Sequence, residues 1–292
     1  MDNRYDRTAE DLGNIVALEH VNVQVPDQRL ATLFYVMGLG LTRDPYLMTG
    51  VGNMWVNIGR SQFHLPTGRA QVLRGRVGLV LPDVDALERR LEAVRPALDG
   101  TGFAADAGRE AVDVTSPWGN RIRCHRPQPQ FGRMALGMPY VELDVPEGTA
   151  PGIARFYRDI LGAPATVGEA DGAPAARVPV GYSQELVYRE TDEAPPPYDG
   201  HHLAVYLADF SGPHGRLDAR GLITEESDQH QYRFQAIVDP DDGGTLFEIE
   251  HEVRSMTHPL YARPLVNRNP DQANDAFAPG HEDRPWALPY SA

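Results

Sequence analysis

The stretch "LEHVNVQVPD" at residues 18–27 returns in altered form as "MPYVELDVPE" at residues 138–147. Both stretches alternate apolar residues with polar or small ones and end in Val-Pro followed by an acidic residue. Such alternation is typical of a half-buried strand, and the ending predicts a turn. The chain therefore contains an internal repeat, and each copy begins with a strand.

An amphipathic helix is predicted after each of these strands. Four apolar residues in each copy follow the i, i+3, i+4, i+7 spacing that places them on one helix face. They are Leu30, Leu33, Phe34 and Met37 in the first copy, and Ile153, Phe156, Tyr157 and Ile160 in the second. Both helices run into glycine, in "MGLGL" and "DILGAP", which predicts their C-terminal ends.

The repeat continues within each half of the chain. "RVGLVLPDVDALERRLEAV" at 76–94 again predicts strand, turn and helix, and "HLAVYLADFSGPHGRLDARGL" at 202–222 is its counterpart. We therefore predict an α+β fold of four βαβββ units. Taken in chain order, they form an N-terminal domain at 15–127 and a C-terminal domain at 134–255. Residues 256–292 have no periodicity and are expected to form an extended tail.

Composition excludes several classes of function. The formal charge of −14 disfavours nucleic acid and anionic membranes as partners. No apolar run approaches the roughly 18 residues of a membrane span. The first 14 residues are polar and mixed in charge, unlike a signal or transit peptide. The single cysteine, Cys124, excludes an intramolecular disulfide, so we expect a cytoplasmic protein.

"GTLFEIEHE" at 244–252 predicts a strand with an unusual row of carboxylates. Because side chains alternate along a strand, Glu248, Glu250 and Glu252 should share one face. Such a row is either solvated or binds something positive. The positive group is either a metal ion or arginines such as Arg233 and Arg254.

With "LEHVNVQV", "FYVMGLGL", "GHHLAVYLADF" and "LFEIE", residues 15–255 resemble the vicinal oxygen chelate superfamily. That superfamily includes glyoxalase I, fosfomycin- and bleomycin-resistance proteins and type I extradiol dioxygenases. The resemblance implies paired units that curl into incomplete barrels. It also implies metal ligands on the first strand of each unit and the last strand of the domain. Because the superfamily includes several chemistries, the resemblance does not select one reaction.

In the N-terminal domain the resemblance places His20, His64, Arg76 and Arg123 at the ligand positions. Arginine stays protonated and cannot bind a metal ion through a lone pair. We therefore expect this domain to be metal-free, with the arginines paired to acidic residues. His20 and His64 are then expected to be hydrogen-bonded sheet residues rather than ligands.

In the C-terminal domain the resemblance implies a metal site at His202 and Glu248. Glu185 is a third candidate, although a shift of one residue would put Leu186 in its place. Imidazole and carboxylate ligands together suit Fe(II), our first choice, or otherwise Mn, Zn or Ni. The alternative is that His202 and Glu248 form only a buried hydrogen-bonded pair.

Three further residues are catalytic candidates. Tyr140 stands where type I extradiol dioxygenases have their first histidine ligand. His230, in "EESDQHQYRF", stands near the position of a proton-handling histidine in those relatives, and imidazole can act as acid or base near neutrality. The alternation "QHQYRF" predicts a strand on which His230 and Tyr232 share a face.

The leading hypothesis is a metal-dependent enzyme that acts on a small oxygen-bearing organic molecule, in a layout similar to type I extradiol dioxygenases. The alternatives are a metal-free binding or resistance protein of the same fold and a lyase or isomerase of the glyoxalase type. The partner is expected to be a small-molecule substrate. Because members of the superfamily often assemble as dimers, a homodimer is also considered, with the tail as its clasp.

Overall fold

A computed structural model describes residues 6–47 and 50–268. The strands are β1 Ile15–Asn22, β2 Thr42–Arg43, β3 Asn53–Ile58, β4 Ser61–Pro66, β5 Gly75–Val80, β6 Ala104–Ala107, β7 Ala111–Thr115, β8 Arg121–His125, β9 Gly137–Pro146, β10 Thr166–Ala170, β11 Ala173–Gly181, β12 Gln184–Thr191, β13 His202–Leu207, β14 Ile223–Asp228, β15 Gln231–Val238 and β16 Thr245–Ser255. The α-helices are α1 Gln28–Ala31, α2 Val84–Val94, α3 Ala150–Phe156 and α4 Ser211–Asp218. Within the described residues, no helix is long and apolar enough to span a membrane.

The strands form two eight-stranded mixed sheets. The order is β14-β15-β16-β13-β1-β4-β3-β2 in the first sheet and β10-β11-β12-β9-β5-β8-β7-β6 in the second. The predicted α+β fold of four repeated units is thereby confirmed. The first sheet combines strands of the first and fourth repeats, and the second sheet combines strands of the second and third.

This strand order differs from the pairing of consecutive repeats that the sequence predicted. In the second sheet, for example, β5 runs antiparallel to β9, with Val77 opposite Val141. The first strands of all four repeats carry similar apolar patterns, so the pattern fixes which face is buried but not which strand is the neighbour. Periodicity alone therefore does not determine which repeats share a sheet.

The chain also divides into two compact units. Glu19–Asp144 and Pro195–Ala204 belong to one unit, together with the segment that starts at Ala262. Val145–Ala194 and Val205–Tyr261 belong to the other unit, with the residues up to Leu18. The predicted domain boundaries, 15–127 and 134–255, stay a prediction.

The two predicted amphipathic helices differ in outcome. Ile153, Phe156, Tyr157 and Ile160 are all buried, as their spacing predicts. In the first helix Phe34 is buried, but Met37 is 54% exposed. α1 continues as a π-helix over Thr32–Gly38, where the Leu39 N–H donates to the Phe34 carbonyl five residues back. Tyr35 and Leu39 are buried in this segment, whereas Met37 is not.

Residues 263–268 form an extended strap along the β3–β4 hairpin. The Asn267 side chain bonds both the N–H and the carbonyl of Gly59, at 2.9 and 2.8 Å. Asn57 Nδ2 donates to the Val266 carbonyl, and Arg263 forms an ion pair with the buried Asp44 at 2.6 Å. This part of the predicted tail therefore lies on the sheet, whereas residues 269–292 lie outside the described residues.

A buried chain of hydrogen bonds crosses the unit that contains β15 and β16. The Tyr188 and Tyr157 hydroxyls are hydrogen-bonded to each other, and Tyr157 Oη lies 2.5 Å from His251 Nε2. His251 Nδ1 donates to the Ile249 carbonyl at 2.9 Å, and its ring stacks on Phe234. His251 is fully buried, and burial lowers its pKa to about 4, although the bond to Ile249 opposes this shift.

We predict that this histidine makes folding stability depend on pH. The folded pKa lies below the unfolded value of about 6.5, so the unfolded chain binds more protons between those two values. Stability should be fully present above about pH 6.5 and fall as the pH drops towards about 4, by about 3 kcal/mol. Urea unfolding of the parent and a His251→Gln variant at several pH values measures this component. The stability gap between them should shrink on acidification.

The matched control is His230→Gln, which changes a half-buried histidine in the turn before β15, outside the buried chain of hydrogen bonds. Its stability should follow the parent at every pH. A gap between the parent and His251→Gln that stays constant from pH 7 to pH 4 would contradict the assignment.

Candidate metal centre

Three histidines come together within one compact unit. They are His20 on β1, His64 on β4 and His202 at the start of β13, and one ring nitrogen from each lies within 4.8 Å of the other two. Parallel pairing of β1 with β4 places Asn22 opposite His64. His20 is fully buried and His202 is 7% exposed. Among the described residues, this is the group of His, Cys, Asp and Glu side chains that can hold a metal ion.

The orientation of His20 is fixed by its neighbour in the chain. His20 Nδ1 lies 3.0 Å from Glu19 Oε2, and the Glu19 side chain is only 9% exposed. With the Nδ1 proton donated to this carboxylate, the Nε2 lone pair is directed away from it. That nitrogen faces His202 Nε2 at 3.4 Å. A carboxylate behind a histidine in this way is the usual support for a metal ligand.

His64 is held by contacts on both of its nitrogens and on its ring face. Asn22 Nδ2 lies 2.8 Å from Nδ1, and Asn53 Oδ1 lies 2.8 Å from Nε2. The ring stacks on Trp55 with centroids 3.8 Å apart. The pattern matches a neutral imidazole with its proton on Nε2 and its lone pair on Nδ1. Coordination by this nitrogen requires the metal to replace the hydrogen bond from Asn22.

The distance between His20 and His202 suits a divalent transition metal. Two imidazole nitrogens that bind one ion at about 2.0–2.1 Å lie about 2.8–3.4 Å apart, for angles between octahedral and tetrahedral. The His20–His202 separation of 3.4 Å lies within this range. A proton on His202 Nε2 would give a hydrogen bond of the same length instead. His20 and His202 therefore fit a metal and equally tolerate a state without one, and His64 is the third histidine of the group.

Of the three predicted ligands, the structure brings only His202 to this group. Glu248 is exposed on β16, and its carboxylate accepts a hydrogen bond from Gln235 at 3.2 Å. Glu185 lies on β12 of the second sheet and pairs with Arg177 at 2.7 Å. Neither carboxylate belongs to the group of three described above. Their assignment as ligands stays a prediction without support from the described geometry.

The three catalytic candidates lie in other surroundings. Tyr140 is on β9 of the second sheet, where its hydroxyl lies 2.9 Å from His125 Nε2. His230 is half-buried in the turn between β14 and β15, so the predicted strand begins one residue later. Tyr232 is buried against Phe210, and burial raises the pKa of its hydroxyl well above the usual value. These positions do not support a shared catalytic face for His230 and Tyr232.

The carboxylate row of β16 binds arginines. Arg233 reaches both Glu250 and Glu252 at 2.6 Å, and Arg254 reaches Glu252 at 2.5 Å. Glu252 is only 3% exposed, so its charge is compensated inside the protein. The sequence left open either a metal ion or arginine as the positive partner of this row. The described ion pairs are with arginine.

Sequence reasoning considered His20 and His64 but expected them to be ordinary sheet residues. That expectation assumed that a site forms within two consecutive repeats, where the other positions are Arg76 and Arg123. With the first and fourth repeats in one sheet, the first strands β1 and β13 are neighbours, and each contributes a histidine. The signal that could have found them is the histidine at equivalent positions of "LEHVNV" and "HHLAVY".

Comparison with solved structures identifies the fold. A crystal structure titled "putative dioxygenase" from Bacillus subtilis matches with a TM-score of 0.55 and 16% identity, over 84% of this chain and 86% of that one. Glyoxalase I from Zea mays matches with a TM-score of 0.53 and 13% identity, over 82% of this chain and 92% of that one. No protein-family model and no curated protein matches the sequence. The chain has the vicinal oxygen chelate fold, as the resemblance predicted.

We predict that replacing Glu19 by glutamine weakens metal binding without unfolding the protein. An amide still accepts the His20 Nδ1 proton but lacks the charge that makes the ring a better donor to a metal. Zn²⁺ affinity, measured by competition with a chromophoric chelator, should fall about tenfold. Glu92→Gln, which changes an exposed carboxylate in the same unit, is the control and should bind like the parent. Equal affinities in all three proteins would contradict the role of Glu19.

Proposed function

We propose that this protein is a metal-dependent enzyme that acts on a small oxygen-bearing organic molecule, with His20, His64 and His202 as the metal ligands. The observation that carries the proposal is the approach of His20 Nε2 to His202 Nε2 at 3.4 Å, with Glu19 behind the first ring. Glu19 directs a lone pair of His20 at the other ring, and a cation between the two nitrogens accounts for that geometry.

The ligand set bears on the identity of the metal. Imidazole suits iron, zinc and nickel, whereas manganese favours carboxylate and water. Three histidines with no carboxylate in the group suit Fe(II), the first choice of the sequence analysis, and they suit Zn and Ni as well, with Mn less favoured. The predicted cofactor is thus retained, and the predicted ligand set is revised.

The site suits a substrate oxygen that carries or develops negative charge. When bound, a divalent ion supplies Lewis-acid chemistry, and iron also supplies oxygen chemistry. Three neutral imidazoles leave the double charge of the ion uncompensated, and Glu19 offsets it only from behind His20. An enolate, a phenolate or a carboxylate oxygen would therefore be attracted to the remaining positions.

The protein groups around the histidines hold them in place. Trp55 covers one face of His64, and its ring also meets the edge of His20 with centroids 5.0 Å apart. Asn22 and Asn53 fix the rotation of the His64 ring through its two nitrogens. Such support lowers the conformational freedom of the three ligands, so less conformational entropy is lost when a metal binds.

Two reaction classes fit this proposal. A ring-cleaving dioxygenase activity follows the layout expected from the sequence, and a lyase or isomerase activity of the glyoxalase type is its alternative. The two matched structures are titled as a dioxygenase and as glyoxalase I, and the fold alone does not distinguish them. The homodimer and the cytoplasmic location stay predictions.

Metal content tests the proposed site directly. The protein purified without chelator or affinity metal should contain about one transition metal ion per chain, and His20→Ala, His64→Ala and His202→Ala should each lose it. Elemental mass spectrometry gives the stoichiometry. Circular dichroism and thermal unfolding show whether each variant stays folded.

Glu248→Ala and Glu185→Ala are the matched controls, because they remove the carboxylates that the sequence predicted as ligands. Both should keep the metal. Loss of metal in Glu248→Ala with retention in His20→Ala would overturn the ligand set. Less than about a tenth of an equivalent in the parent, even after anaerobic loading with Fe²⁺, would instead make this a metal-free binding protein.

Oxygen consumption separates the two reaction classes. If the protein is a dioxygenase, the Fe(II)-loaded form should consume oxygen in proportion to the phenolic substrate added, and His202→Ala should not. An oxygen electrode and absorbance of the product give the two quantities. Turnover of a substrate under anaerobic conditions, with no oxygen requirement, would exclude the dioxygenase assignment and favour a lyase or isomerase.

A further inference from the structure

The loop before β13 is fixed by one carboxylate. Asp199 Oδ2 accepts the backbone N–H of Val72 at 2.7 Å. Its Oδ1 accepts from His201 twice, from Nδ1 at 2.6 Å and from the backbone N–H at 3.3 Å. Burial acts to raise the pKa of Asp199, but these hydrogen bonds together outweigh it and lower the pKa. The next residue after His201 is His202.

One amide side chain ties this loop to the end of β1. Gln71 Nε2 donates to the Asp199 carbonyl at 2.9 Å, and Gln71 Oε1 accepts the backbone N–H of Gln24 at 2.8 Å. Gln24 follows β1, the strand that carries His20. Gln71 is 6% exposed, so both bonds form away from competing water.

The segment that carries Gln71 is itself held in place. Asn120 Nδ2 donates to the Gln71 carbonyl at 2.8 Å, and Asn120 Oδ1 accepts the Leu73 N–H at 2.8 Å. Gly200 completes the arrangement with a φ of +92°, a conformation that favours glycine. A Cβ at this position would lie 3.0 Å from Gln71 Nε2. The loop geometry therefore leaves little room for a different path into β13.

We propose that Gln71 and Asp199 are positioning residues that set His202 against His20 in the metal site. The inference rests on the proposed function and adds to it the part of the chain that holds the two rings at ligating distance. His20 and His202 are distant in sequence, and the bonds from Gln24 to Gln71 and from Gln71 to Asp199 form a direct link between their strands. We name these two residues the Gln71–Asp199 clamp.

The test compares metal affinity with stability. The variants are Gln71→Ala, Asp199→Ala and the conservative Asp199→Asn, and the control is Asn267→Ala. The control removes two hydrogen bonds to Gly59 in the same compact unit but touches neither clamp residue. Zn²⁺ affinity is measured by chelator competition, Tm by calorimetry, and ligand geometry by the visible spectrum of the Co²⁺-loaded protein.

The clamp predicts a loss of Zn²⁺ affinity of about 10- to 100-fold in Gln71→Ala and Asp199→Ala. Asp199→Asn should recover part of it, because the amide oxygen still accepts an N–H. Asn267→Ala should lower the Tm but keep the affinity within about twofold and leave the Co²⁺ spectrum unchanged.

Parent-like affinity and Co²⁺ spectra in both alanine variants would overturn the inference. An affinity loss in Asn267→Ala equal to theirs would overturn it as well, since the effect would then follow stability alone. If the parent binds neither Zn²⁺ nor Co²⁺, the proposed function itself fails, which is a different outcome from a parent that binds and clamp variants that bind equally well.

Discussion

Two imidazole nitrogens that face each other at 3.4 Å set the condition on which the rest of the site depends. Lone pairs do not approach this closely unless a proton or a metal ion lies between them. Glu19 holds the proton of His20 on the far side of its ring. Either a proton on His202 Nε2 or a metal ion must therefore lie between the two nitrogens. The first sheet makes the contact possible by placing β1 beside β13.

The second sheet shows how the same fold is completed without ligands. At its corresponding strand positions Arg76 bonds Glu142 at 2.9 Å, and Arg123 bonds Asp113 at 2.7 Å. Tyr140 meets His125 there, and its ring lies so close to Gly78 that a Cβ would collide with it. At these positions the second sheet therefore has ion pairs and a tightly packed tyrosine ring in place of histidines. The contrast shows that a sheet of this fold can be built without histidines at those strand positions.

The sequence was sufficient for the fold because the four repeats share one pattern of strand, turn and helix. For the same reason it could not identify which repeats pair, because the first strand of each repeat has a similar apolar pattern and could pair with any of the others. His202 was predicted from its place in the first strand of its repeat. For His20 and His64 the sequence predicts ordinary sheet residues, because the next repeat along the chain offers arginines at the other positions. The turn at His230 and the π-winding after α1 depend on local hydrogen bonds that alternation and helical spacing do not encode.

The central claim is that His20, His64 and His202 bind one metal ion, and X-ray absorption of the Zn²⁺-loaded protein tests it most directly. The account predicts about three imidazole nitrogens at about 2.0–2.1 Å, with the outer-shell scattering that imidazole rings produce. His64→Ala should reduce that count by about one. A spectrum with oxygen neighbours only, or one unchanged by the His64 substitution, would contradict the account.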